Sequence, residues 1–202
     1  MNQEEDETMT YRAVVELWAA ERESLQYVLP YTARKAAQKA LLFSPWMAEA
    51  EIDQIEPSQV SAALMYLGSK GGRQKKGLST ATLRAAHLAG SQACVWAVER
   101  GFASKNPFAR VTRPRANYRQ SQFLTQGQAT KLARAASRSF SKNLSSGDVT
   151  RASFALAVCI AVATGLRRGE IFALSWDDFN ETTMRLSVSK AIKGDGSLGR
   201  PK

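Results

Sequence analysis

Hydrophobic residues recur at helical spacing along most of the chain, which predicts a mainly helical protein. In the first half, proline, glycine and polar residues divide this pattern into four expected helices, at about residues 10–25, 30–46, 55–68 and 79–101. Gly68 and Gly101 are placed to end the third and fourth helices, and Ser79 or Thr80 can cap the fourth. The fourth helix carries apolar and small residues three and four positions apart, which predicts one close-packing face: Leu83, Ala86, Gly90, Ala93 and Ala97.

The second half begins with two more helical patterns. Thr125 is expected to cap the first, and a polar connection over residues 139–147 separates it from the second. Asp148 or Thr150 can cap the second helix, which covers about residues 149–163. Its later turns are apolar on every side, so we expect it to be buried at the centre of its domain.

After this helix the pattern becomes that of a small β-sheet. Apolar and polar residues alternate over residues 184–189, which predicts a half-buried strand. Residues 193–197 contain two glycines and are expected to form a turn into a partner strand. Trp176, which precedes the strand, is predicted to anchor the core.

The organisation predicted from these patterns is two domains joined by a basic linker. Residues 1–8 are acidic and without periodicity, as in a flexible tail, and residues 9–109 form the first, helical domain. Residues 110–121 contain prolines and several arginines without a period, which is typical of an interdomain linker. Residues 122–202 belong to the second domain.

Composition and charge limit the classes of function that the protein can have. The chain has 202 residues, 44% of them hydrophobic, so it can bury a core, and its net charge of +10 favours a polyanionic partner such as nucleic acid. No export signal and no apolar run of membrane-spanning length is present, which predicts a cytoplasmic protein without a membrane partner. Cys94 and Cys159 lie in apolar helical patterns and are expected to be buried thiols, and neither a metal site nor a cofactor is expected.

Positive charge is concentrated in one quarter of the chain. Residues 70–119 contain eleven Lys or Arg and one acid, Glu99. Residues 69–77 form a glycine-rich loop with four of these charges, which could follow a phosphate backbone but could also be a solvated turn. Phosphate contacts of these residues would give sequence-independent affinity for a nucleic acid such as double-stranded DNA. The candidate DNA-binding residues are Lys70, Arg73, Lys75, Lys76, Arg84, Arg113 and Arg115.

The lone His87 lies on the fourth helix and is expected to be packed or solvent-facing.

The most specific motif is Thr164-Gly165-x-Arg167-x-x-Glu170, followed by Ala-Leu-x-Trp-x-Asp over residues 173–178. From the residues alone, Arg167 could bind a phosphate or simply pair with Glu170 on the same helical face. The motif resembles the first conserved segment of the tyrosine recombinases, the phage integrase family. That resemblance implies that Arg167 is a catalytic arginine at the DNA phosphate to be cut, and that Glu170 supports it. Gly101 and Asn106-Pro107 also match the end of the family's core-binding domain.

The resemblance implies a mainly α fold. A helical-bundle, SAM-like core-binding domain would precede the start of an α+β catalytic domain with a small β-sheet. It further implies a bacterial or phage-encoded enzyme that assembles as a tetramer on DNA and cuts through a 3′-phosphotyrosine, without cofactors. The family's His-x-x-Arg and tyrosine nucleophile would follow the motif, whereas all tyrosines here precede it. We therefore expect a truncated catalytic domain, and these residues should bind DNA without cleaving it.

Three points stay open at this stage. The family's catalytic lysine could correspond to Lys190, Lys193 or Lys202. A non-catalytic DNA-binding protein derived from an integrase would share the same basic residues. A helical protein-interaction scaffold is a third reading, and it predicts no salt-dependent DNA affinity.

Overall fold

A computed structural model describes residues 9–115 and 122–201 of the chain. The predicted acidic tail, residues 116–121 of the predicted linker and Lys202 lie outside these residues. The chain divides into two compact units, Met1–Arg119 and Gln120–Lys202. The predicted mainly helical fold with small antiparallel sheets is confirmed.

The first and last helices of unit 1 begin after a side-chain cap, and the cap at Ser79 is one that the sequence predicts. The helices of this unit are α1 (Tyr11–Ser24), α2 (Pro30–Ala40), α3 (Ser44–Met47), α4 (Pro57–Lys70) and α5 (Thr80–Glu99). Thr10 Oγ1 accepts a hydrogen bond from the backbone N–H of Ala13 at 3.3 Å, and Ser79 Oγ accepts one from Thr82 at 3.2 Å. These bonds satisfy N–H groups that have no partner inside the helix.

Two predictions about unit 1 are wrong. The second helix does not continue to Trp46 but gives way to a 3₁₀ turn at Leu41–Phe43 and then to α3. Pro45 explains the break, because its ring cannot donate to the carbonyl of Leu41 and would clash with it in a continuous helix. Gly68 does not end α4, which continues to Lys70 and is capped by Gly71.

The core of unit 1 is formed by α1, α4 and α5, by residues between 40 and 55, and by the segment that follows α5. Tyr11, Phe43 and Phe108 are fully buried, and the ring centroids of Phe43 and Phe108 lie 5.1 Å apart. The predicted close-packing face of α5 is confirmed, since its members are all buried. Burial of one large apolar side chain contributes about 1.5–3 kcal/mol, so this cluster fixes the position of α5.

Unit 2 is built on a pair of helices, α6 (Gln126–Ser145) and α7 (Val149–Thr164), followed by the short helix α8 (Arg168–Ile171). Thr125 caps α6 and Asp148 caps α7, as predicted. The predicted polar connection over residues 139–147 is wrong, because α6 continues to Ser145. Ala133, Ala136 and Phe140 lie inward at helical spacing, which keeps this polar stretch helical.

The predicted deep burial of α7 is also wrong. Ala152 and Ala155 are buried, but the later turns are only half-buried and Phe154 is 66% exposed. Within the described part of unit 2, α6 and α8 are the helices that pack against α7, and they cover only part of its surface.

The strands of unit 2 form two short antiparallel pairs. Strand β1 (Phe179–Asn180) pairs with β2 (Arg185–Leu186), and β3 (Ala191–Ile192) pairs with β4 (Leu198–Gly199). The predicted strand over residues 184–189 is therefore shorter, and its partner precedes it. The predicted turn at residues 193–197 is confirmed and contains Gly196 at φ +85°.

Candidate nucleic-acid interface

The backbone places Arg167 at the start of a helix. Helix α7 ends at Gly165, which has φ +69° and whose N–H donates to the carbonyl of Ala161 at 2.9 Å. A left-handed residue here favours glycine, since other side chains are strained in this conformation. Arg167 follows in an extended conformation as the N-cap residue of α8. The Thr-Gly-x-Arg spacing thus corresponds to a helix stop followed by a helix start.

Glu170 holds Arg167 at two points. Its Oε2 accepts the backbone N–H of Arg167 at 2.9 Å, and its Oε1 accepts Nη1 of the guanidinium at 3.2 Å. The Glu170 residue is only 6% exposed, whereas the side chain of Arg167 is 72% exposed. The pKa of Glu170 is lowered, first by the backbone hydrogen bond from Arg167 and then by its guanidinium. A buried carboxylate therefore orients an exposed guanidinium.

This arrangement suits recognition of a phosphate. A guanidinium is planar, stays charged at any physiological pH and can donate two parallel hydrogen bonds to phosphate oxygens. The ion pair with Glu170 does not contradict such a role, because the same carboxylate that pairs with Arg167 also fixes its backbone. The two readings of Arg167 from the sequence are thus both compatible with the geometry.

The candidates for the catalytic lysine have different surroundings. Lys190 Nζ donates to Ser175 Oγ at 2.9 Å and lies 3.2 Å from Asp178 Oδ2. The pKa of Asp178 is lowered, chiefly by its hydrogen bonds from Ser175 and further by Lys190. Lys193 lines a cavity of about 350 Å³ together with Arg168. Lys202 lies outside the described residues.

Trp176 does not anchor the core. Its residue is 84% exposed, at the start of a 3₁₀ turn over Trp176–Asp178. The buried position of this motif is instead Ala173, while Asp178 accepts hydrogen bonds from Ser175. The Ala-Leu-x-Trp-x-Asp pattern therefore orders a turn, and the indole lies on the described surface of unit 2.

The basic loop of unit 1 is closed by its own backbone. The N–H of Gly77 donates to the carbonyl of Gly71 at 3.0 Å, and the N–H of Leu78 donates to that of Leu67 at 2.8 Å. Gly77 has φ +83°, and a Cβ there would collide with the carbonyl of Gly68. The basic residues of this region are all exposed: Lys70, which lies in the last turn of α4, and Arg73, Lys75 and Lys76.

The first half of the predicted linker lies against α5. Within residues 110–115, which we call the basic segment, Val111 is buried while Arg113 and Arg115 are exposed. Arg84 Nη1 donates to the carbonyl of Pro114 at 2.6 Å, and His87 Nε2 donates to that of Val111 at 3.2 Å.

His87 is therefore packed against the basic segment, which is one of the two positions expected from the sequence. Its pKa is lowered, first by burial, while the bond to Val111 opposes this effect and the charge of Arg113 adds to it.

Other positive charges near this region are held by carboxylates. Arg100 pairs with Glu21, and Lys105 pairs with Glu56 at 2.9 Å. Some of the eleven positive residues counted in the sequence therefore form ion pairs within the protein. The exposed candidates for DNA contact in unit 1 are those of the basic loop and the basic segment, whereas Arg167 and Glu170 belong to unit 2.

No helix among residues 9–115 and 122–201 is long and apolar enough to cross a bilayer. In the same residues, no group of three or more His, Cys, Asp or Glu is arranged to hold a metal ion.

Comparison with solved structures matches nearly the whole chain. Lambda integrase, in a tetramer bound to a Holliday junction, aligns with a TM-score of 0.68 and 18% identity, over 98% of this chain and 52% of its own. In a dimer bound to a COC′ core site it aligns with a TM-score of 0.66 and 18% identity, over 97% and 49%. This chain has the integrase fold.

A second integrase agrees. The Tn1549 transposon integrase, in complex with a circular intermediate DNA, aligns with a TM-score of 0.63 and 20% identity, over 96% of this chain and 58% of its own. The resemblance to integrases expected from the sequence is thus confirmed for the fold. The chain spans about half the length of the lambda integrase chains it matches. Neither a protein-family model nor a curated protein matches the sequence.

Proposed function

We propose that the chain is the DNA-binding part of an integrase-type, site-specific DNA recombinase, together with the first segment of its catalytic domain. The observation that carries this proposal is the pair formed by Arg167 and Glu170, on a fold whose solved examples are bound to DNA. The full protein would break and rejoin DNA strands through a 3′-phosphotyrosine intermediate. Covalent storage of the bond energy makes a nucleotide cofactor unnecessary.

Arg167 would act on the phosphate that is cut. Negative charge develops on the non-bridging oxygens during attack at phosphorus, and an already oriented guanidinium stabilises that charge without reorganising in the transition state. Glu170 would support it by fixing both the backbone and the guanidinium of Arg167. Glu170 would not transfer protons, since its lowered pKa keeps it ionised at neutral pH.

Unit 1 would supply affinity for the duplex. The exposed arginines and lysines of the basic loop and the basic segment can neutralise phosphates, which gives binding that weakens steeply with salt. Such contacts position the protein without reading the base sequence. Self-association on DNA, as a dimer or tetramer, is part of the proposal because the matched lambda integrases are a dimer and a tetramer on DNA.

The tyrosines of this sequence would not supply the nucleophile, because the nucleophile of the tyrosine recombinases follows the arginine motif. All five tyrosines of the sequence precede Thr164, and Tyr11 is fully buried with its hydroxyl donating to the carbonyl of Ala40. Burial raises the pKa of Tyr11 well above its ordinary value, which opposes the formation of a phenolate. We therefore expect these 202 residues to bind DNA and not to cut it.

A salt titration of DNA binding tests the proposal. With about five phosphates neutralised, affinity for a duplex of arbitrary sequence should fall about 500-fold between roughly 50 and 200 mM salt. Fluorescence anisotropy with a labelled duplex measures this. Absent or salt-independent binding would instead favour the interaction scaffold.

An assay of covalent complex formation distinguishes a recombinase from a non-catalytic DNA-binding protein. A protein that carries the downstream residues should form a covalent complex with a nicked duplex that survives denaturation in detergent. A DNA-binding protein derived from an integrase would show the same salt dependence but no such complex.

A further inference from the structure

One face of α5 contacts the chain from Asn106 to Pro114 along its length. The helix and the segment run in opposite directions, so that residues later in the segment contact residues earlier in α5. The four contacting pairs are Ser91 with Asn106, Gly90 with Phe108, His87 with Val111, and Arg84 with Pro114. The helix positions 84, 87, 90 and 91 are three, four and seven apart, so they share one face. The segment is therefore attached to α5 at successive turns.

Arg84 forms the last contact of this series. Its half-buried guanidinium donates to the carbonyl of Pro114 at 2.6 Å, a short bond from a charged donor. Pro114 separates Arg113 from Arg115, both of which are exposed. Since proline fixes its own φ, holding its carbonyl restricts the backbone between the two exposed arginines.

We propose that Arg84 is a positioning residue that docks the basic segment onto α5 and thereby sets the places of Arg113 and Arg115 for phosphate binding. This inference rests on the proposed DNA-binding function. It gives Arg84 a different role from the direct DNA contact predicted from the sequence. The role follows from geometry, because the guanidinium is directed to a carbonyl of its own chain and its two exposed neighbours flank that carbonyl.

Limited digestion with trypsin tests docking without DNA. Cleavage after Arg110 requires the buried Val111 to leave α5, whereas Arg73 in the exposed loop is an internal reference. Arg84→Met should accelerate cleavage after Arg110 about tenfold relative to cleavage after Arg73, because the last attachment is lost. Arg100→Met is the matched control, since Arg100 lies at the C-cap of the same helix and pairs with Glu21. Equal cleavage in the wild type and Arg84→Met would overturn the proposal.

A double-mutant cycle in DNA affinity tests the consequence. Arg84→Met should weaken binding to an arbitrary duplex about tenfold in the wild type, and less than about twofold in Arg113→Ala/Arg115→Ala, since residues that act together are non-additive. The same loss in both backgrounds would make Arg84 a direct phosphate ligand and contradict the inference.

The outcomes separate the two proposals. If the wild type does not bind DNA, the proposed function fails, and the trypsin result still decides whether Arg84 docks the segment. If Arg84→Met lacks a cooperative thermal transition, Arg84→Leu replaces it in both assays, because leucine also lacks any donor for the carbonyl of Pro114. Selective cleavage together with non-additivity supports the full inference.

Discussion

Glu170 uses both carboxylate oxygens on Arg167, one for its backbone N–H and one for its guanidinium. The pKa of Glu170 is therefore held below its usual value near 4.5, with the backbone bond as the first cause. A carboxylate with a depressed folded-state pKa stabilises the protein above its unfolded pKa and loses that contribution as pH falls through the folded value.

Glu170→Gln should flatten the acid dependence of stability. Below about pH 4.5 the wild type loses the contribution of this carboxylate, whereas the amide has no proton to gain. Thermal unfolding measured from neutral pH to about pH 3 gives the comparison. Asp195→Asn should flatten the curve in the same direction, because hydrogen bonds from Ser197 also lower the pKa of Asp195. Parallel curves for the wild type and Glu170→Gln would contradict the assignment.

Arg167→Ala should separate binding from cleavage. In a protein with the downstream catalytic residues, loss of this guanidinium should slow covalent complex formation by at least about a hundredfold, as for other preorganised donors to transition-state charge. Duplex affinity should change by less than about threefold, since the many contacts of unit 1 supply most of it. Single-turnover assays and anisotropy measure the two quantities. Retained cleavage would remove Arg167 from the site.

Local chemistry made much of the site predictable. Gly165 ends α7, and Thr125 and Asp148 cap their helices. The contact between Arg167 and Glu170 was predictable because residues three positions apart lie on the same face of a helix. Each of these features depends on residues within one turn of one another. Local backbone rules therefore suffice to find them.

Features that depend on distant packing were missed. The apolar pattern of α7 and the indole of Trp176 indicate burial, but burial requires other elements to cover them, and the described part of unit 2 covers neither fully. The docking of Arg84 was missed for a related reason. Its acceptor is a backbone carbonyl thirty residues away, in a segment without periodicity. Only the spacing of residues 84, 87 and 91 on α5 could have indicated a shared face.

Gly77→Ala should disorder the basic loop and weaken DNA binding. Alanine is strained at φ +83°, and its Cβ would collide with the carbonyl of Gly68. We expect a loss of about 2 kcal/mol or more in unfolding free energy and about a tenfold loss in DNA affinity. Urea unfolding and anisotropy measure these losses.

Gly101→Ala is the matched control for that change. Gly101 has a similar φ of +77°, but no atom beyond its two chain neighbours lies within 4 Å of the position its Cβ would occupy. It should lose only about 1 kcal/mol, from backbone strain, and should keep its DNA affinity. Equal losses in both variants would mean that the collision with Gly68 does not matter.

His87 should make unit 1 less stable in mild acid. Its folded-state pKa lies below the usual 6.5, because burial disfavours the imidazolium and Arg113 adds a like charge, although the bond to Val111 partly opposes both. In the unfolded chain the ring gains its proton near pH 6.5, so the unfolded state binds more protons below that value. Stability should therefore fall as pH drops below about 6.5, until the folded-state pKa is reached.

His87→Gln removes this dependence while its amide can still donate to Val111. Thermal unfolding of the wild type and the variant between about pH 7.5 and 5 should converge toward acid, with the wild type showing the steeper fall. The groups that face His87 are Arg113, Phe108 and the carbonyl of Val111, and its Nδ1 is buried without a hydrogen-bond partner among the described atoms. Protonation would therefore place an added positive charge beside the basic segment, and the ratio of trypsin cleavage after Arg110 to cleavage after Arg73 should rise in the same pH range. A wild type in which this ratio does not change with pH would show that His87 does not protonate while the segment is docked.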